Sequence, residues 1–245
     1  ISRFYRLQLE NHPFYLIATD GGATSFPIEQ SELLLSPGER AEVLIQGNQS
    51  SGNYRLLNLP YERVGMGMMG GGMMGGGMMG GRRNENNATE TLATFTYSGE
   101  EIEPLSLPKQ LIPVEELSEA KAVRQFELNH GMNPGRGMQF LINGKSFNSQ
   151  RIDTKVSLNT LEEWEIRNTG MMDHPFHLHT NRFQVISRNG EAVENRTWKD
   201  TVLVARGESV RIRIPFRDFV GKTVYHCHIL DHEELGMMGI IEMNA

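Results

Sequence analysis

The sequence predicts an all-β protein of two Greek-key β-sandwich domains. Three observations carry that expectation. Short segments alternate apolar and polar residues with period two. Glycine, asparagine and proline separate them. No stretch keeps an apolar stripe at period 3.6. Many short strands joined by such turns build sandwiches or Greek-key barrels.

The elements follow in order. In the first hundred residues HPFYLIATD, AEVLIQG, GNYRLLNL and ATETLATFTY read as strands. The stretch EPLSLPKQLIP places prolines at 104, 108 and 113. Proline resists both helix and central strand, so residues 104–121 are expected to link a first domain (1–103) to a second (122–245). In the second, LEEWEIRN sets Trp164 and Ile166 against Glu165 and Arg167, while VRIRIPF sets Val210, Ile212 and Ile214 against Arg211 and Arg213. FQVISRNG ends in Asn189-Gly190, a hairpin turn signal.

One run breaks the pattern. VGMGMMGGGMMGGGMMGG, residues 64–81, holds seven methionines among glycines. Glycine at that density cannot hold a packed strand, so an exposed hairpin extension is expected. Exposed methionine is hydrophobically costly where a neutral linker would use serine, and its thioether is a soft metal ligand.

The totals set bounds. A chain of 245 residues with 38% hydrophobic and 22% charged residues is globular and buries a core with ease. Its net charge of −6 argues against nucleic acid as a partner. No apolar run approaches the roughly 18–20 residues of a membrane span. With one cysteine there is no disulfide framework within the chain. Ile1 has no methionine before it, and the strand-like SRFYRLQL follows at once, so the chain is expected to be part of something longer, with any signal segment upstream.

The chemistry lies in the histidines. Of eight, three fall in HPFHLH (His174, His177, His179) and three in HCHILDH (His226, His228, His232), around the single Cys227. One thiolate, two imidazoles and a weak thioether make a blue-copper electron-transfer set, here His174, Cys227, His232 and Met237. Zinc would prefer more thiolates, or histidines with carboxylates. Side chains alternate along a strand, so Cys227 points to one side and His226 and His228 to the other. One strand can then hold a mononuclear copper on one face and feed a copper pair on the opposite face. His177 and His179, two apart, share a face in the same way.

HPFHLH, WKDTV and HCHILDHEELGMM together resemble the carboxy-terminal domain of a multicopper oxidase of the bacterial laccase and cuprous-oxidase kind, and RFYRLQL, FYLIATDGG and LLLSPGERAEVLI resemble its middle domain. The resemblance spans nearly the whole chain and implies two cupredoxin-like domains, the first incomplete at its amino end. It implies that His174, Cys227, His232 and Met237 are type 1 copper ligands, His177 a type 2 ligand, and His179, His226 and His228 type 3 ligands. It also implies that Glu233 relays protons to oxygen. Asp200 in WKDTV is a candidate partner for a ligating imidazole or, equally, a solvated turn carboxylate.

The family's trinuclear cluster needs eight histidines, four from two His-X-His pairs in an amino-terminal domain, and this chain has no His-X-His pair beyond HLH (177–179) and HCH (226–228). His12 and His130 stand alone and read as structural. The expected partners are therefore O2, a one-electron reductant (a phenol, Cu(I) or Fe(II)) and the missing amino-terminal domain; the expected setting is periplasmic or extracellular. A mononuclear blue-copper electron-transfer module is the alternative, and it leaves His177, His179, His226 and His228 without a role. A copper nitrite reductase fits worse, since its catalytic copper is mononuclear.

Overall fold

The structure, a computed structural model, describes residues 2–62, 88–100, 102–120, 122–135 and 137–245. The methionine-rich run 64–81, expected as a hairpin extension, lies outside the described residues. Among the described residues the only helix has five residues, and no helix is long and apolar enough to cross a membrane.

Seven strands come first: β1 (Tyr5–Leu9), β2 (Phe14–Thr19), β3 (Gly22–Gln30), β4 (Leu33–Leu35), β5 (Ala41–Leu44), β6 (Gly52–Leu59) and β7 (Glu90–Tyr97). They form one sheet in the order β4-β1-β6-β7 and a second in the order β3-β2-β5. Their inner faces bury Leu9, Phe14, Leu33 and Tyr54. His12 belongs to this core. Its Nδ1 donates to the Glu10 carbonyl at 2.7 Å and its Nε2 accepts from the Tyr97 hydroxyl at 2.8 Å, so both ring nitrogens are satisfied and the residue is structural.

After β7 the chain runs without strands as far as residue 120 among the described residues. Residues 111–117 of it are tied down rather than loose. The Leu111 and Val114 amides donate to Ser25, while Gln184 donates to the Glu115 carbonyl and Arg213 to the Leu117 carbonyl. Proline-rich backbone that cannot join a sheet is thus held through both its amides and its carbonyls.

Twelve strands follow: β8 (Ala122–Asn133), β9 (Gly137–Ile142), β10 (Thr154–Ser157), β11 (Thr160–Asn168), β12 (His174–Leu178), β13 (Phe183–Arg188), β14 (Glu191–Ala192), β15 (Trp198–Lys199), β16 (Thr201–Val204), β17 (Ser209–Phe216), β18 (Gly221–Cys227) and β19 (Met238–Asn244), with α1 (Leu230–Glu234) between the last two. One sheet runs β10-β19-β18-β12-β16, the other β14-β13-β17-β11-β8-β9 with β15 against β13. The period-two pattern of β17 turns Val210, Ile212, Ile214 and Phe216 inward, all fully buried. Trp164 on β11 is fully buried as well, and its indole N–H donates to Glu162 at 2.8 Å, so the polar end of the ring is not stranded. Asn189 and Gly190 take φ of 50° and 85° between β13 and β14, the two left-handed residues of a tight hairpin.

Candidate metal centre

Two neighbouring strands build the site. In the antiparallel pair β12–β18, Phe176 lies opposite Cys227 and His177 opposite His226. Directly opposed residues share a face. Cys227 and, two residues before Phe176, His174 therefore point into the core between the sheets, while His177 and His226 point out of it.

On the inner face, Cys227 Sγ lies 3.6 Å from His174 Nδ1 and 3.6 Å from His232 Nδ1, and the two nitrogens are 3.1 Å apart. All three residues are buried. His232 arrives by way of α1, whose only buried residue it is. Gly236, at φ +111°, ends that turn, and a Cβ there would strike the Ser146 hydroxyl. The chain then doubles back: the Met237 amide donates to the His232 carbonyl at 2.9 Å, and the Cys227 amide to the Met237 carbonyl at 3.0 Å. The spacing from Cys227 to His232 and Met237 is thus that of one helical turn and its reversal. Met237 is itself fully buried beside these residues.

Two neighbours hold this face. The Phe140 ring on β9 stacks on His232 with centroids 3.9 Å apart and meets His174 edge-on at 6.0 Å. Asn168 donates to the Met172 and Val204 carbonyls, bracing the loop that leads into His174. In that loop Asp173 accepts from the Tyr61 hydroxyl at 2.9 Å and from the Arg206 amide at 2.9 Å.

On the outer face, His177, His179 and His226 each bring a ligand atom within 4.8 Å of the other two. His179 Nε2 and His226 Nε2 are 2.9 Å apart, and the His228 ring lies 5.3 Å from that of His177 and 5.5 Å from that of His226. The tautomers follow from the acceptors. His177 Nδ1 donates to the Asp200 carbonyl at 3.0 Å and to Thr201 Oγ1 at 2.9 Å, and the Thr201 hydroxyl donates to Asp200 Oδ1 at 2.8 Å. His226 Nδ1 faces the Cys227 carbonyl at 3.0 Å and Glu233 Oε2 at 3.2 Å. With the protons on Nδ1, both rings keep an Nε2 lone pair for a ligand.

The electrostatics favour neutral rings at His226 and His179. Burial pushes His226 down to about 4, helped by the imidazoles of His177, His179 and His228, and burial lowers His179 in the same direction. Asp200 is held well below the usual carboxylate range: burial opposes this, but hydrogen bonds from His177, Arg40 and Thr201 outweigh it.

These donor sets fit copper. A buried thiolate is costly without a positive partner, and a thiolate with two imidazole nitrogens converging at one point is a soft set suited to it. The outer face offers imidazoles alone, which also suit copper. His130 is a member of neither group, and its ring lies 6.2 Å from Phe140. Phe140, Thr201 and Asn168 carry no chemical signature in the sequence. Thr201 alone stands next to a residue of suggestive type, Asp200 in WKDTV.

Fold and site together define a copper protein of β-sandwich architecture, and comparison with known proteins gives its family. Two family profiles, both described as multicopper oxidase, match residues 119–244 and 1–99. The chain belongs to the multicopper oxidase family. The multicopper oxidase mco of Staphylococcus haemolyticus is 30% identical over 249 residues, which cover 99% of this chain and 46% of that protein. A laccase of Bacillus stratosphericus is 27% identical over 97% of this chain and 48% of its own length. Among solved structures, the multicopper oxidase of Campylobacter jejuni, described as a metallo-oxidase, superposes with a TM-score of 0.83 and 34% identity over 100% of this chain and 51% of that one. The chain thus spans about half the length of these relatives. The fold is cupredoxin-like, as the sequence predicts.

Proposed function

We propose that the protein is a copper-dependent, laccase-like oxidase, with His174, Cys227, His232 and Met237 holding a type 1 copper, and His177, His179, His226 and His228 supplying part of a trinuclear type 2 and type 3 site. Copper at these positions would take single electrons from a phenol, Cu(I) or Fe(II) at the first site and deliver four of them to O2, giving water, at the second. The remaining imidazoles would come from an amino-terminal domain outside this chain. The observation that carries the reading is the strand β18 itself: Cys227 Sγ meets two imidazoles on one face, while His226 Nε2 meets His179 on the other. The covalent path between the two faces is a single peptide step.

The residues of this chain divide the work. Cys227 gives the electron an entry that is buried from solvent, and its backbone leads directly to His226 and His228. Burial keeps His226 neutral, so its lone pair stays available for a metal. Glu233, 3.2 Å from His226 Nδ1, is placed to hand protons towards the outer face, and a carboxyl group can do so where an amide cannot. The middle domain is assigned to residues 1–103, the link to 104–121 and the copper-bearing domain to 122–245, in a periplasmic or extracellular protein. A mononuclear electron-transfer module would leave the 2.9 Å contact of His179 with His226 without purpose.

Copper analysis with electron paramagnetic resonance, on the full protein and on this chain alone, tests the proposal. The full protein should hold blue and non-blue copper and consume O2 with a phenol or Cu(I). This chain alone should keep the blue copper, hold other copper weakly and reduce O2 at no enzymatic rate. Four tightly bound coppers per isolated chain would overturn the division of the cluster.

A further inference from the structure

We infer that the Ser36–Arg40 turn of the first sandwich positions His177 and His228 for the outer metal group, with Arg40 as the positioning residue; this rests on the copper reading of that face. The turn lies against the His228 ring and reaches the His177 ring through Asp200 and Thr201, from outside their own domain. Arg40 grips Asp200 with both arms of its guanidinium, Nη1 to Oδ1 at 2.8 Å and Nη2 to Oδ2 at 2.7 Å. Asp200 Oδ1 accepts the Thr201 hydroxyl, and Thr201 Oγ1 accepts His177 Nδ1–H at 2.9 Å. Four residues thus connect a loop of the first sandwich to one ring of the cluster.

Two residues earlier, Gly38 takes φ +88°, and a Cβ there would lie 2.5 Å from His228 Cδ2. The backbone of the same turn therefore forms the wall of the His228 ring. The turn is itself fixed. The Ser36 amide and hydroxyl both donate to Glu39, the Arg40 amide donates to Asp20 at 2.6 Å, and Lys199 Nζ lies 3.2 Å from Asp20 and 3.2 Å from Glu39.

Magnitude separates a positioning role from a stabilising one. The Arg40 side chain is 55% exposed, and ion pairs so open to water contribute about 0–1 kcal/mol to folding. What the fork does fix is the direction of both carboxylate oxygens, and through Thr201 the plane of the His177 ring. Partners that orient a ligating imidazole in this way typically change metal affinity by about 10–100-fold when removed.

The test measures copper affinity by chelator competition in the full, copper-loaded protein, for Arg40→Leu, Arg40→Lys and a His177→Ala control. The blue absorption serves as an internal reference for folding and for the inner site. Arg40→Leu should lower the affinity of non-blue copper about 10–100-fold and alter its paramagnetic spectrum, with the blue band unchanged. Arg40→Lys keeps the charge but cannot span both oxygens, and should fall between. If Arg40→Leu holds non-blue copper as the wild type does while His177→Ala loses it, the inference fails and the copper reading stands. If His177→Ala itself loses no copper, the copper reading fails and takes the inference with it. Parallel loss of both kinds of copper in a folded variant marks a general structural role and also overturns it. Should Arg40→Leu not fold, Arg40→Lys decides by the same criteria.

Discussion

The ring of Phe140 lies flat on that of His232, with centroids 3.9 Å and planes 19° apart. Phe140 is fully buried and comes from β9, in a different sheet from Cys227. The stack thus joins the two sheets through a proposed ligand. Phe140→Ala should cost about 3–5 kcal/mol in stability by the ordinary cavity penalty. It should also broaden the visible absorption of the copper-loaded protein, because His232 loses its support. Denaturant unfolding and absorption spectra check both. A variant that is destabilised but spectrally unchanged would restrict Phe140 to packing.

Cys227→Ser should abolish the intense visible band, since only a thiolate supplies that charge transfer. His228→Ala should leave the band in place and impair O2 reduction in the full protein, because His228 sits with the outer group, 5.3 Å from His177. Absorption and O2 uptake on the two variants separate the faces. A blue serine variant would refute the type 1 assignment.

Gly38→Ala places a methyl group 2.5 Å from His228 Cδ2 at a backbone φ of +88°. Strain at such a position costs about 1–3 kcal/mol. The neighbour that must yield is an imidazole ring, so the paramagnetic signals of non-blue copper should change together with the melting temperature. Unchanged signals in a destabilised variant would mean that the ring accommodates the methyl without moving.

The all-β architecture was legible because period two survives in the apolar residues of β11 and β17, and the Asn189-Gly190 turn because two left-handed residues in succession demand such a pair. The histidine and cysteine positions were legible because chemistry restricts residue type, and alternation along β18 assigned their faces. The short helix α1 was not. Five residues carry no periodicity, and its presence follows from His232 being folded back onto Cys227. Nor were Phe140, Thr201 or Arg40. Their roles depend on contacts across long sequence separations, 160 residues between Arg40 and Asp200, and phenylalanine, threonine and arginine are common residues with no signature of their own.

Glu233→Gln in the full protein should slow O2 turnover without loss of copper. The carboxylate is 3.2 Å from His226 Nδ1 and is no member of either histidine group. Removing its proton capacity therefore changes the chemistry rather than the metal sites, by about 10²–10⁴-fold for a general acid–base group. Turnover equal to wild type across the acidic range, with full copper content, would leave Glu233 a helix residue only.

The last expectation concerns acid and the metal-free protein. Burial, with three imidazoles close by, lowers His226 from 6.5 to about 4 in the folded chain. The unfolded chain has no such burial and takes up its proton near 6.5. Between those two values the unfolded state binds a proton that the folded state refuses, so stability rises with pH across this window and levels off above it. Falling pH therefore removes stability from about 6.5 down to about 4, amounting to roughly 3 kcal/mol at the lower end. His179 is lowered by burial too and acts in the same direction. Carboxylates also titrate near the lower end, so the informative quantity is the difference between wild type and His226→Leu, in which that proton has nowhere to bind. Denaturant midpoints of the metal-free proteins at pH 7 and pH 4.5 should show the wild type losing more stability than the variant. Equal losses would mean that His226 is protonated as readily folded as unfolded, and that burial does not keep its lone pair available for a metal.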